Sequence, residues 1–190
     1  MSALNNISLK VIGYWPDIFE ERGIPDYLIK KYDKDIKGKI VNYLNSGVLL
    51  FSEFGHSFCR INCGIPDNLM GSGDLTDGVW SWPEGLAHYV EAHDILLPDD
   101  FLDSIKSKNY AFTATEDTMG RINLIKQNLK AFLYDNDKKD NMDMTYWNNW
   151  LNQKESNFLA NNNKIHYIKM TNSNNKINTK APLNIPGIKK

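Results

Sequence analysis

Residue types able to do chemistry crowd into two short stretches. Residues 56–63 carry His56, Cys59 and Cys63, and residues 75–90, LTDGVWSWPEGLAHYV, carry Asp77, Trp80, Trp82, Glu84 and His88. His56, Cys59 and Cys63 lie within eight positions, and His88 or His93 would add a further nitrogen, giving the N/S donor set that suits tetrahedral zinc. That spacing permits a metal without requiring one. Free cysteines usually behave as small buried hydrophobes, so the expectation is two buried thiols beside a turn, with no metal ligand or cofactor assigned and zinc as the alternative.

Glu84 and His88 are four residues apart, so on a helix they share a face and can share a proton or a hydrogen bond; with Asp77 just upstream they form a carboxylate–imidazole set for acid–base work. The competing account is an ion pair on a solvated helix face, worth about 0.3–0.5 kcal/mol, and on that account no catalytic residue is assigned. His93 falls with the apolar residues of the same helix and reads as a hydrogen-bonded core or last-turn histidine. Trp80 and Trp82 alternate on one strand face and share a fate, either in the core or at a binding surface with Glu84 and Glu91. Core is the favoured place for the indoles. A G-x-S-x-G elbow, a P-loop, a dinucleotide-binding glycine pattern and an H-E-x-x-H helix are all missing from the sequence.

These residues need elements to hold them. The segment 26–45 is rich in helix formers, and Gly38 with Asp33-Lys34-Asp35 divides it into two short helices. Residues 48–61 carry two apolar runs, VLLFSEF and SFCRI, split by Gly55-His56, which predicts a β-hairpin or two short strands. CGIPDNLMGSGDLTDG then reads as a surface loop. Val79-Trp80-Ser81-Trp82 alternates as a strand, and Pro83 opens a helix, PEGLAHYVEAH, placing Leu86, Tyr89, Val90 and His93 on one side and Glu84, His88 and Glu91 on the other. A short helix carrying Phe101, Leu102 and Ile105 follows Leu97-Pro98. Helices over 116–134 and 143–161 are predicted to pair as a helical hairpin. After residue 161 asparagine and lysine dominate; IHYIKM could add one strand and APLNIPGI could form an extended arm.

The class expected is α+β, mainly helical with a small antiparallel hairpin or sheet: one domain over 1–162 and a polar basic tail over 163–190. With 42% hydrophobic and 24% charged residues the chain is of ordinary globular composition, and 190 residues suffice for one substantial core. No apolar run approaches a membrane span and no secretion signal opens the chain, which predicts a cytoplasmic protein with reduced cysteines. The net charge of −1 gives no bulk attraction to nucleic acid. It is uneven, however: six of the 22 Lys and Arg follow Glu155, where no acid occurs, so 16 remain against 23 acids in residues 1–155. The body is acidic and the tail basic.

The stretch 75–90, preceded by SFCRINCG, resembles an uncharacterised bacterial family whose members carry a CR-x-CG element, then LTDG-x-W-x-WPEGL-x-HYV, then a short LP segment. The resemblance covers residues 57–101, about a quarter of the chain. It implies membership and brings no reaction, so no residue role is carried over. Three residues separate Cys59 from Cys63 where the family pattern has two, a departure that weakens a metal reading. Acidic body, many aromatics and no assembled catalytic motif together lead to the expected function: a protein-binding module, in the manner of a cytosolic immunity or antitoxin-like protein that neutralises a partner such as a cognate toxin. The alternative is a zinc-containing or acid–base enzyme using Asp77, Glu84 and His88.

Overall fold

The computed structural model of the protein describes residues 9–16, 18–133 and 144–162. Four strands, β1 (Lys10–Val11), β2 (Val48–Ser52), β3 (Gly73–Thr76) and β4 (Trp80–Pro83), form one sheet in the order β1-β4-β3-β2. β2, β3 and β4 run antiparallel, while β1 lies parallel to β4, so the sheet is mixed. Around it pack α1 (Ile18–Arg22), α2 (Lys34–Asn45), α3 (Leu86–His93), α4 (Asp99–Ser107), α5 (Glu116–Leu133) and α6 (Thr145–Asn162). The mainly helical α+β class expected from the sequence is the class observed. None of the described helices is long and apolar enough to cross a membrane.

Local chemistry explains the elements around the site. Asp33 caps α2, its carboxylate accepting the N–H groups of Asp35 and Ile36 at 3.0 and 3.4 Å and so satisfying donors that the first helical turn leaves open. Ile40, Tyr43 and Leu44, spaced three and four apart, are the buried stripe of this helix. The short turn Asp26–Leu28 together with α2 gives the two short helices expected of 26–45.

β4 is the centre of the fold. Trp80 and Trp82 are 2% and 0% exposed, and Ser81, which points to the opposite face, is also fully buried, so both sides of this strand are covered. The Trp82 indole N–H donates to the Leu44 carbonyl at 3.0 Å, and both indoles meet Phe101 of α4 edge-on. Trp80 and Trp82 are therefore core residues with no surface to offer a partner, which corrects their place among the binding candidates. Glu91 is exposed on α3.

Four element expectations are corrected. The second half of the supposed hairpin, Ser57–Ile61, is irregular, and β2 pairs instead with β3, taken from the stretch read as surface loop. Gly73 makes that pairing close: a Cβ there would lie 2.5 Å from the Phe51 carbonyl oxygen. Pro83 ends β4, and the Glu84 N–H still donates to Gly73, so α3 starts only at Leu86. Finally, among the described residues α6 packs on β1 and on the turn at 26–28 whereas α5 packs on β2, so the main partners of the two helices differ from those of the expected hairpin. The proposed strand IHYIKM and arm APLNIPGI lie outside the described residues.

Candidate metal centre

Two segments far apart in sequence converge beside α3. From the irregular segment come Cys59, buried, and Cys63, exposed; from α3 come His88 and His93, both half-buried. One donor atom from each lies within 4.8 Å of every other. Cys59 Sγ is 3.4 Å from His93 Nε2, Cys63 Sγ is 3.4 Å from His88 Nε2, and the two Nε2 atoms are 3.2 Å apart. Around a tetrahedral zinc with Zn–N of about 2.05 Å and Zn–S of about 2.3 Å, donors would stand about 3.3 Å apart for N–N and about 3.5 Å for N–S. Three of the six edges, two N–S and one N–N, match such a tetrahedron, and the remaining donor pairs lie within 4.8 Å.

The electrostatics suit a cation as well. Burial holds both imidazoles toward the neutral form that ligates; Glu91 partly opposes this at His88, and at His93 the neighbouring His88 reinforces it. Burial also pushes the Cys59 thiol up, so a positive centre is what would draw the proton off. Tyr89 braces the cysteine segment, its hydroxyl accepting the Arg60 N–H at 2.9 Å. Asn62, between the two cysteines, takes a left-handed φ of 52°, and its N–H donates to the Cys59 carbonyl at 2.9 Å, a tight turn that carries Cys63 back toward α3. The third intervening residue is thus accommodated in the turn.

Three sequence expectations change here. Of the two thiols expected to be buried, Cys59 is buried and Cys63 is exposed. His56 is not part of this group; it lies at the rim of a separate cavity. His88 and His93, assigned to opposite sides of the helix, meet because His93 occupies the final turn, just before Asp94 leaves the helix with φ of 52°.

The acid–base trio Asp77, Glu84 and His88 is not brought together. Glu84 precedes α3, and its Oε2 accepts the N–H groups of Ser72 and Gly73 at 2.8 and 2.9 Å, with no i to i+4 relation to His88 on the helix. Asp77, 3% exposed, sits at the β3–β4 turn. Its Oδ1 accepts Val79 and Trp80 N–H at 2.9 and 2.8 Å; its Oδ2 accepts the Tyr43 hydroxyl and the Lys108 ammonium, each at 2.7 Å. Burial alone would raise this carboxyl, but Lys108, Trp80, Tyr43 and Val79 outweigh it and hold it below the ordinary range. Asp77 is a structural anion.

A second site was not foreseen from the sequence. Asp74 of β3 is 4% exposed, and the Tyr14 hydroxyl donates to its Oδ2. Burial lifts the Asp74 carboxyl to about 6, with Glu53 and Glu84 adding to the rise and Tyr14 opposing it. Because this is above the unfolded value of about 3.9, the associated stability is present below about pH 4 and is lost as pH rises through about 6. Asp74→Asn is therefore expected to gain on the wild type by about 2 kcal/mol between pH 4 and pH 7 in urea unfolding followed across pH. Parallel profiles for the two proteins would refute this. A family-level reading is not supplied by comparison: no family model, curated protein or solved structure matches the chain.

Proposed function

We propose that this chain is a zinc protein in which Cys59, Cys63, His88 and His93 hold one ion, and that the ion is structural. The observation that carries the reading is the convergence of four donors from two segments far apart in sequence, with three donor–donor distances at tetrahedral spacing. Four protein ligands leave no open position for substrate or water, the arrangement of structural rather than catalytic zinc. The ion's task is to pin residues 53–72, which contain only the short turn Asp67–Leu69 as regular structure, against α3. A cytosolic location would keep both thiols reduced and able to ligate.

A binding role accompanies the metal, favoured by what the pinned segment displays. Phe54, Phe58 and Leu69 are 110%, 40% and 63% exposed, next to the exposed acids Glu53 and Asp67. Apolar side chains held on a fixed loop among acids suit contact with another protein, in keeping with an immunity or antitoxin-like module that covers a basic surface of its partner. Elemental analysis of protein purified from zinc-supplemented cells tests the first part: about one zinc per chain is expected, and less than about 0.1 would end it. Co-purification with the products of neighbouring genes tests the second, where no near-stoichiometric partner would count against it.

A further inference from the structure

Residues 53–57 and 70–74 line a cavity of about 270 Å³ that does not include the cysteines. Phe51, Phe54, Met70 and Pro83 supply its apolar walls, and Asp74 with Tyr14 stands among its polar lining. Glu53 and His56 also line it, and no lysine or arginine does. Glu84, immediately after Pro83, adds a further negative charge felt by Asp74. Among the described residues, Oδ2 of Asp74 takes the Tyr14 hydroxyl and Oδ1 has no partner. Although the residue is 96% buried, Oδ1 is not sealed off from solvent; it opens on the cavity, where a donor can reach it.

From this geometry we infer that the cavity binds a protonated primary amine on a short alkyl chain, the ammonium on Asp74 Oδ1 and the carbons along Phe51, Met70 and Pro83. The inference rests in part on the zinc reading, since the pinned segment closes the cavity. Charge sign selects a cation: carboxylates stand around the cavity with no basic partner. A metal ion needs several oxygen ligands at once, and Tyr14 already takes one oxygen of Asp74, whereas Phe51, Met70 and Pro83 give the cavity walls that suit an alkyl chain. A guanidinium needs both oxygens of a carboxylate for its two parallel hydrogen bonds, and Tyr14 already occupies one; an ammonium is a point charge that one oxygen can serve. Two sources carry this group, a free alkylamine and the lysine side chain of a partner protein.

Titration of the zinc-loaded protein at pH 8 with 1,5-diaminopentane in one arm and Nα-acetyl-lysine methylamide in the other, followed by amide shifts of Ser72–Asp74, tests it. Binding of the lysine amide alone assigns a partner side chain, and binding of the diamine alone assigns a free amine; both support the inference. Asp74→Asn should weaken binding about tenfold or more, as expected for loss of a charge-assisted hydrogen bond. Binding should also weaken from pH 8 to pH 5, and should do so equally in His56→Gln, Glu53→Gln and Glu84→Gln, which leaves Asp74 as the responsible group among the acidic and histidine side chains around the cavity. No saturable shift with either amine, or full affinity in Asp74→Asn, overturns the inference. Zinc content measured on the same samples keeps the readings apart: one zinc with no amine binding sinks the pocket alone, while absent zinc sinks the metal centre.

Discussion

Replacing Cys63 with serine is expected to strip the metal and lower the thermal midpoint by about 10 °C or more. The size of this effect discriminates because Cys63 is exposed. An exposed side chain with no special partner changes stability by only about 0.5 kcal/mol when substituted, which for a chain of this size moves the midpoint by about 1–2 °C. A zinc ligand is different. Structural zinc in finger peptides contributes an apparent ~10–16 kcal/mol at pH 7, and even a third of that lost, at about 2–4 °C per kcal/mol, gives the stated shift. A chelator should lower the wild type by a similar amount and leave Cys63→Ser unmoved. The ligating thiols must lose their protons, so the chelator-sensitive part of stability should shrink on acidification. If Cys63→Ser melts with the wild type and the chelator does nothing, the four side chains are only hydrogen-bonded neighbours.

Asp77→Ala is expected to cost about 3–5 kcal/mol, the penalty for breaking a buried ion pair from one side. The substitution leaves the Val79 and Trp80 N–H groups and the Tyr43 hydroxyl without an acceptor and deprives the Lys108 ammonium of its anion. The backbone N–H groups belong to the turn that sets the register of β3 on β4, where Leu75 pairs with Trp82, so the loss should reach the core. Since the folded Asp77 carboxyl lies below its ordinary value, its contribution is present above about pH 4 and is lost as pH falls through the folded value. The gap between wild type and variant in denaturant unfolding should therefore be full at pH 7 and narrow below pH 4. Lys108→Met placed on Asp77→Ala should recover part of the loss, since coupled partners are not additive. Zinc content should be unchanged. A cost under about 1 kcal/mol would mean that the turn holds without its anion.

The two anions show how far a sequence can be read. Asp77 stands among costly residue types in the sequence, but an acid–base set with Glu84 and His88 rests on neighbours along the chain. Its real partners, Tyr43 and Lys108, are 34 and 31 positions away. Asp74 stands in GSGDLTDG, a stretch with the composition of a loop, and its partner Tyr14 is 60 positions distant. Nothing in the local pattern distinguishes a loop aspartate from one buried on a strand.

What the residues determined by themselves was local. Period-3.6 spacing placed α2 and the helix ending at His93, alternation placed a strand over 79–82 with both indoles on one face, and His56, Cys59 and Cys63 with His88 or His93 were visible as a possible donor set. Only the tertiary structure decided which strand β2 takes as neighbour, that Glu84 stays with the sheet, that His93 reaches the cysteines while His56 faces another cavity, and that Asp74 is buried against Tyr14. The reason is that periodicity encodes which face of an element avoids water, a property of a dozen neighbouring residues. Which atoms then meet is fixed by how elements close on one another across tens of residues, and that closure leaves no periodic trace in the chain.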